Sequence, residues 1–264
     1  GAIESLLSTQ DHAEDVRQGL WGQLVLSCNG FAVRLVERRR YADALETLAK
    51  SESLLECLSP VSEGGRREEM AAHVKDAYAH YYAARGKPSA ALQYVRSAVN
   101  AHRRRGDGPN SARCLLHKAY VLCQLSRYGE SMECLRRVLG MVQDGSLDPG
   151  RRRIGGNGGA PGSPGSPDEE GYAAPDSQLV LLVSVAYHNV AVLQLLLGHT
   201  GDACLSSQNA RRLARLCLGA SGRYISSFES THRRALGDLA AVLRRRQTDE
   251  QAAVFRRLID DLFG

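Results

Sequence analysis

The stretch "VERRRYADALETLAKSESLL", residues 36–55, decides how this chain folds. Its first residues end an apolar-periodic segment on three arginines. A new segment opens at Tyr41 and sets Ala44, Leu48 and Ser51 at steps of four and three, one face of a helix. The arginines have two readings. Clustered guanidinium groups suit phosphate surfaces. Cations in the last turn of a helix instead meet the negative end of its macrodipole, for about 0.3–1 kcal/mol each when exposed. The arginines at 103–105, before "GDGPN", and at 244–246, after "LAAVL", repeat the arrangement and are read as helix C-termini. Those at 211–212 and 233–234 fall inside helical patterns and are read as solvated faces.

The pattern after the arginines recurs. "RRYADALETLAKS", "GKPSAALQYVRSAV", "SRYGESMECLRRVL" and "GHTGDACLSSQNA" align on the small residues Ala44, Ala91, Ser131 and Ala203. Four residues on stand Leu48, Val95, Leu135 and Ser207; seven on stand Ser51, Ala98, Val138 and Ala210. Twelve residues earlier lie Ala32, Ala79, Ala119 and Ala191, each inside a preceding helical segment. A small residue on each of two consecutive helices lets the axes approach to roughly 8–10 Å. The repeating unit is a helix, a tight turn and a second helix.

These residues resemble the tetratricopeptide repeat family, in the long-helix form of kinesin light chain. The resemblance implies an all-α, right-handed α-solenoid whose first helices line a concave surface for protein partners. Departures from the family pattern are Cys28, Lys75 and Tyr187 where Trp or Leu is usual, and Ser207 where a large apolar residue is usual. The repeats fall near 21–58, 66–105, 110–143 and 176–218. The interval from Ser131 to Ala203 is 72 residues, and removing the Gly/Pro/Ser-rich segment 144–175 returns it to 40, the interval from Ala91 to Ser131. That segment is expected to be a disordered insert, with Ser163 and Ser166 as candidate phosphosites beside the arginines at 151–153. A degenerate terminal helix pair is expected over 222–263, broken near Thr248 as an N-cap.

Composition narrows the function classes. Charged residues are 24% and the net charge is +5, modest for a dedicated nucleic-acid-binding domain. Seven cysteines form no CxxC pair and are read as buried thiols of a reducing compartment. The most apolar run, residues 179–197, is interrupted by Ser184, His188, Asn189 and Gln194, so no membrane insertion is expected. The chain opens Gly-Ala rather than Met, which points to a domain cut from a longer protein. No nucleophile–base pair, phosphate loop or metal-ligand spacing is present, so no enzyme, cofactor or metal is expected.

Carried over from the resemblance, the partner-binding residues on the concave face are Asn29, His73, Asp76, His80, Arg113, Tyr120, Gln124 and His188. The expected function is a non-catalytic scaffold that binds an extended peptide or a partner helix within a cytoplasmic assembly, cytoskeletal or ciliary by the long-repeat resemblance. The alternatives are a nucleic-acid-associated adaptor using the arginines, and a regulatory domain of a larger enzyme.

Overall fold

The computed structural model of the chain describes residues 2–59, 65–147, 177–218 and 223–263. Among the described residues every regular element is helical. Two compact units are formed, Gly1–Gly155 and Gly156–Gly264. The first contains α1 (Ala2–Glu37), α2 (Tyr41–Ser53), a short 3-10 turn (Leu54–Cys57), α3 (Arg66–Ala84), α4 (Pro88–Arg104), α5 (Gly108–Gln124) and α6 (Tyr128–Gln143). The second contains α7 (Ser177–Leu196), α8 (Thr200–Leu218) and α9 (Arg223–Phe263).

Small residues set the hairpins. Ala32 with Ala44, Ala79 with Ala91, Ala119 with Ser131 and Ala191 with Ala203 are all at most 1% exposed. In the third pair the Ser131 hydroxyl donates to the Ala119 carbonyl at 2.7 Å, so a polar residue joins the contact without leaving a buried group unpaired. The residues four and seven positions on are buried in every hairpin, Ser51 and Ser207 included. Packing of one amphipathic helix on the next, rather than intrinsic propensity, stabilises such an array.

The turns inside and between hairpins share one geometry. At Arg39, Gly86, Gly106, Ser126 and Gly198 φ is positive, between 57° and 78°. The amide of each of these residues bonds back three residues, and the next amide bonds back five, for example Arg39 to Val36 and Arg40 to Leu35. This closes the last turn of the preceding helix and satisfies carbonyls it would otherwise leave open. Gly accepts this conformation freely; Arg39 and Ser126 hold it against their own Cβ. Arginines 38–40 thus end α1, and Arg105 caps α4 while donating to the Gly65 carbonyl at 2.7 Å and pairing with Glu69.

Three expectations need correction. Residues 223–263 form one unbroken helix of 41 residues, not a pair. Thr248 is not an N-cap: its hydroxyl donates to the Arg244 carbonyl one turn back, and no Gly or Pro between 238 and 263 interrupts the ladder. Arginines 244–246 therefore lie in mid-helix, where no macrodipole end accounts for them. The insert does not begin at 144, because residues 144–147 form an ordered turn with Leu147 buried and the Asp144 carboxylate accepting from the Ser146 amide. The rest of the expected insert, 148–175, with Ser163 and Ser166, lies outside the described residues. Cys57 is exposed rather than buried, while Cys114 and Cys134 are in the core; the Cys217 side chain is outside the described residues.

By length and composition α7 qualifies as a membrane-spanning segment. Packing within the unit buries 28% of its apolar window. Ala186 and Ala191 are fully buried in the α7–α8 hairpin, and the buried Ser184 hydroxyl donates to the Ala210 carbonyl at 2.8 Å.

Candidate functional site

In the N-terminal unit the first helices of the hairpins, α1, α3 and α5, form a groove of about 410 Å³. It is lined by Leu26, Asn29, Gly30 and Val33 from α1, by His73, Asp76, Ala77 and His80 from α3, and by Arg113 and His117 from α5. The wall on α1 is mainly apolar, and the opposite wall carries charge and imidazole. Each helix supplies its groove residues at steps of three and four, so one face of each looks inward.

The polar groups are held by a network that runs through the floor. The His117 Nδ1–H donates to Asp76 Oδ1 at 2.8 Å. Burial alone would push the Asp76 carboxyl up, but the hydrogen bond from His117, with the Arg113 guanidinium nearby, holds it below the usual carboxylate range. Arg113 Nη2 donates to His73 Nδ1 at 3.2 Å, which requires a neutral His73 ring protonated on Nε2. Burial, then the neighbouring His102 ring and Arg113, pushes the His73 pKa down to about 4. Behind it His102 is fully buried, packed edge-on against His73 at 4.9 Å between centroids, with Nδ1 3.1 Å from Asp107 Oδ2. Asp107 also caps α5 by accepting from the Asn110 amide at 3.1 Å. His80 stands 5.8 Å from the His117 ring, and burial, then His117, lowers its pKa.

Two groove atoms are buried without a hydrogen-bond partner: Asn29 Nδ2 and His117 Nε2. The Asn29 side chain is fixed from behind, where its Oδ1 accepts from the Ser51 hydroxyl at 2.9 Å. A buried polar atom left unpaired costs about 1–3 kcal/mol, so both atoms favour any ligand that supplies their partners. Among the described residues no group of three His, Cys, Asp or Glu side chains is placed to hold a metal ion.

The eight residues expected on the concave face separate in space. Asn29, His73, Asp76, His80 and Arg113 meet in the groove. Tyr120 and Gln124 lie further along α5, exposed and bonded to each other at 2.9 Å, and are not among the groove's lining residues. His188 belongs to the C-terminal unit, where it packs on Phe228 at 4.5 Å and burial lowers its pKa. His117 was not expected. Its signal is its place one helical turn after Arg113 on the same face of α5, which also brings it to Asp76.

No protein-family model matches the chain, and no curated protein matches it. Among solved structures, BtubC (BKLC) from P. vanneervenii superposes with a TM-score of 0.60 at 12% identity, over 98% of this chain and 93% of that one. At that identity the likeness concerns the fold: an α-solenoid of tetratricopeptide-like helix hairpins.

Proposed function

We propose that the chain is a non-catalytic protein-interaction scaffold, and that the groove of α1, α3 and α5 takes an extended segment of a partner protein. The observation that carries this reading is the convergence of six polar residues from three separate hairpins, Asn29, His73, Asp76, His80, Arg113 and His117, of which Asn29 and His117 retain buried unpaired atoms. Asn29 Nδ2 is a donor, and His117 Nε2, with Nδ1–H committed to Asp76, is an acceptor when the ring is neutral. A main-chain amide offers the matching pair, while the apolar wall of Leu26 and Val33 suits a side chain beside it. The long-repeat resemblance supports a cytoplasmic assembly, cytoskeletal or ciliary, as the setting.

Affinity capture with cross-linking from the native cell identifies the partner, and the groove is then tested by the Arg113→Ala/His80→Ala variant. Capture should fall by about tenfold or more if several groove contacts are lost together. A folded variant that captures the partner as well as the wild type removes the groove model.

A further inference from the structure

Helix α9 carries its arginines in a register that the hairpin core does not require. Arg234, Arg245 and Arg256 stand 11 residues apart, as do Arg233 and Arg244. Arg246 and Arg257 repeat the interval on the side of Phe228 and His232 and fall outside these two rows. Eleven helical residues make about three turns and advance about 16.5 Å, so each set climbs nearly straight along one side. The core side of α9 is marked by Ile225, Phe228, His232 and Ala235, all buried. At about 100° per residue, the two arginine rows lie on the half of the helix turned away from those residues. All five arginines are exposed.

Between Arg234 and Arg245 the same outer side holds Gly237 and Ala241, which add little bulk beside the guanidinium groups. Arg234 lies 3.7 Å from Asp238, an exposed pair of little strength. Arginines 244 and 245 are in mid-helix, beyond the reach of the macrodipole's negative end.

We propose that this outer face of α9 is a docking surface for an acidic polypeptide segment. Its carboxylates seat on arginine stations about 16.5 Å apart, a spacing matched by about five residues of extended chain. Guanidinium and carboxylate meet by paired, charge-assisted hydrogen bonds. The chain's net charge of +5 is modest for a nucleic-acid-binding domain, which favours a carboxylate partner over a single-stranded nucleic acid. The surface lies on a different unit from the groove, and the two readings stand or fall separately.

The test uses the full chain and a fluorescein-labelled polyglutamate of about 16 residues, long enough when extended to span three stations. Polyglutamine and single-stranded oligo(dT) of the same length are its counterparts, and binding is followed by anisotropy. Polyglutamate should bind and polyglutamine should not. Affinity should fall about tenfold between about 50 and 200 mM salt, as displaced counterions return. Arg234→Glu/Arg245→Glu should weaken binding by about tenfold or more, and Arg234→Gln/Arg245→Gln by a smaller factor in the same direction. Arg136→Glu/Arg137→Glu, on the exposed side of α6, should change it less than about twofold. Circular dichroism checks that each variant is folded. Polyglutamate that fails to bind, that binds the α9 variants undiminished, or that is outcompeted by oligo(dT) overturns the proposal.

Discussion

The α5–α6 and α7–α8 hairpins follow one template and differ in polarity at the buried position four residues after the small one. In the first, Leu135 fills the place four residues after the small contact residue and is fully buried. In the second that place is Ser207, equally buried, and the gap is closed by polar chemistry. The Ser207 hydroxyl donates to the Cys204 carbonyl at 2.9 Å and accepts from His232 Nδ1 of α9 at the same distance. A template position that usually demands apolar volume tolerates a hydroxyl once the next helix brings a partner to it. Burial, with Arg211 adding to it, lowers the pKa of that His232, so the neutral ring belongs to the folded state.

That contrast breaks most clearly at Leu135. Leu135→Ala should cost about 3–4 kcal/mol in urea unfolding, from lost transfer energy and the cavity left behind. Ser207→Ala should cost only about 1 kcal/mol, the net value of a hydrogen bond. Similar losses at the two sites would mean that the hydroxyl contributes far more than its bonds. Asp107→Ala comes next, at about 2 kcal/mol, because it removes the α5 cap and the partner of a fully buried His102 at once. Asp107→Asn, which retains an acceptor for the Asn110 amide, should recover part of that loss.

Acid sharpens the comparison between the units. His73 and His80 in the N-terminal unit, and His188 and His232 in the C-terminal one, all have pKa values lowered by burial. As pH falls below the ordinary histidine value of 6.5 the unfolded chain takes up protons that the folded chain refuses, so stability declines, for His73 down to about 4. Thermal unfolding across this range should show a falling midpoint, and His73→Gln should flatten part of the slope. A midpoint that rises on acidification would show these rings to be charged in the folded state.

The smallest effects lie in the turns. Arg39→Gly and Ser126→Gly should each stabilise by about 0.5–1 kcal/mol by relieving a left-handed residue of its Cβ, less the added freedom of the unfolded chain. Gly86→Ala should destabilise by about 1 kcal/mol, for the same reason reversed. Urea midpoints resolve differences of this size. Equal behaviour of Arg39→Gly and Gly86→Ala would show that the turn is not set by local backbone preference.

Much of the architecture was legible in single residues. Ala44, Ala91, Ser131 and Ala203, with their partners twelve residues earlier, marked where helices touch, because close approach of two backbones excludes large side chains whatever lies around them. The arginines at 38–40 and 103–105 marked helix ends for a comparably local reason. Arginines 244–246 showed the limit of that argument. The same triplet sits in the middle of α9, since nothing in the backbone from Arg244 to Thr248 stops a helix that begins at Arg223. A run of cations is compatible with a helix end without producing one.

Sequence by itself determined the hairpin period and the small-residue contacts, because each depends on helical spacing within one segment, while the candidate groove residues came from the resemblance to the tetratricopeptide repeat. Only the tertiary structure decided that His117 joins Asp76, that His102 is buried behind His73, and that Ser207 finds His232. These pairs lie on different helices, and their chemistry follows from distance and burial between segments rather than from the order of residues along the chain. Placing arginine on the outer side of α9 needed both: the 11-residue spacing is written in the sequence, and the direction it faces was set by the residues that α9 buries.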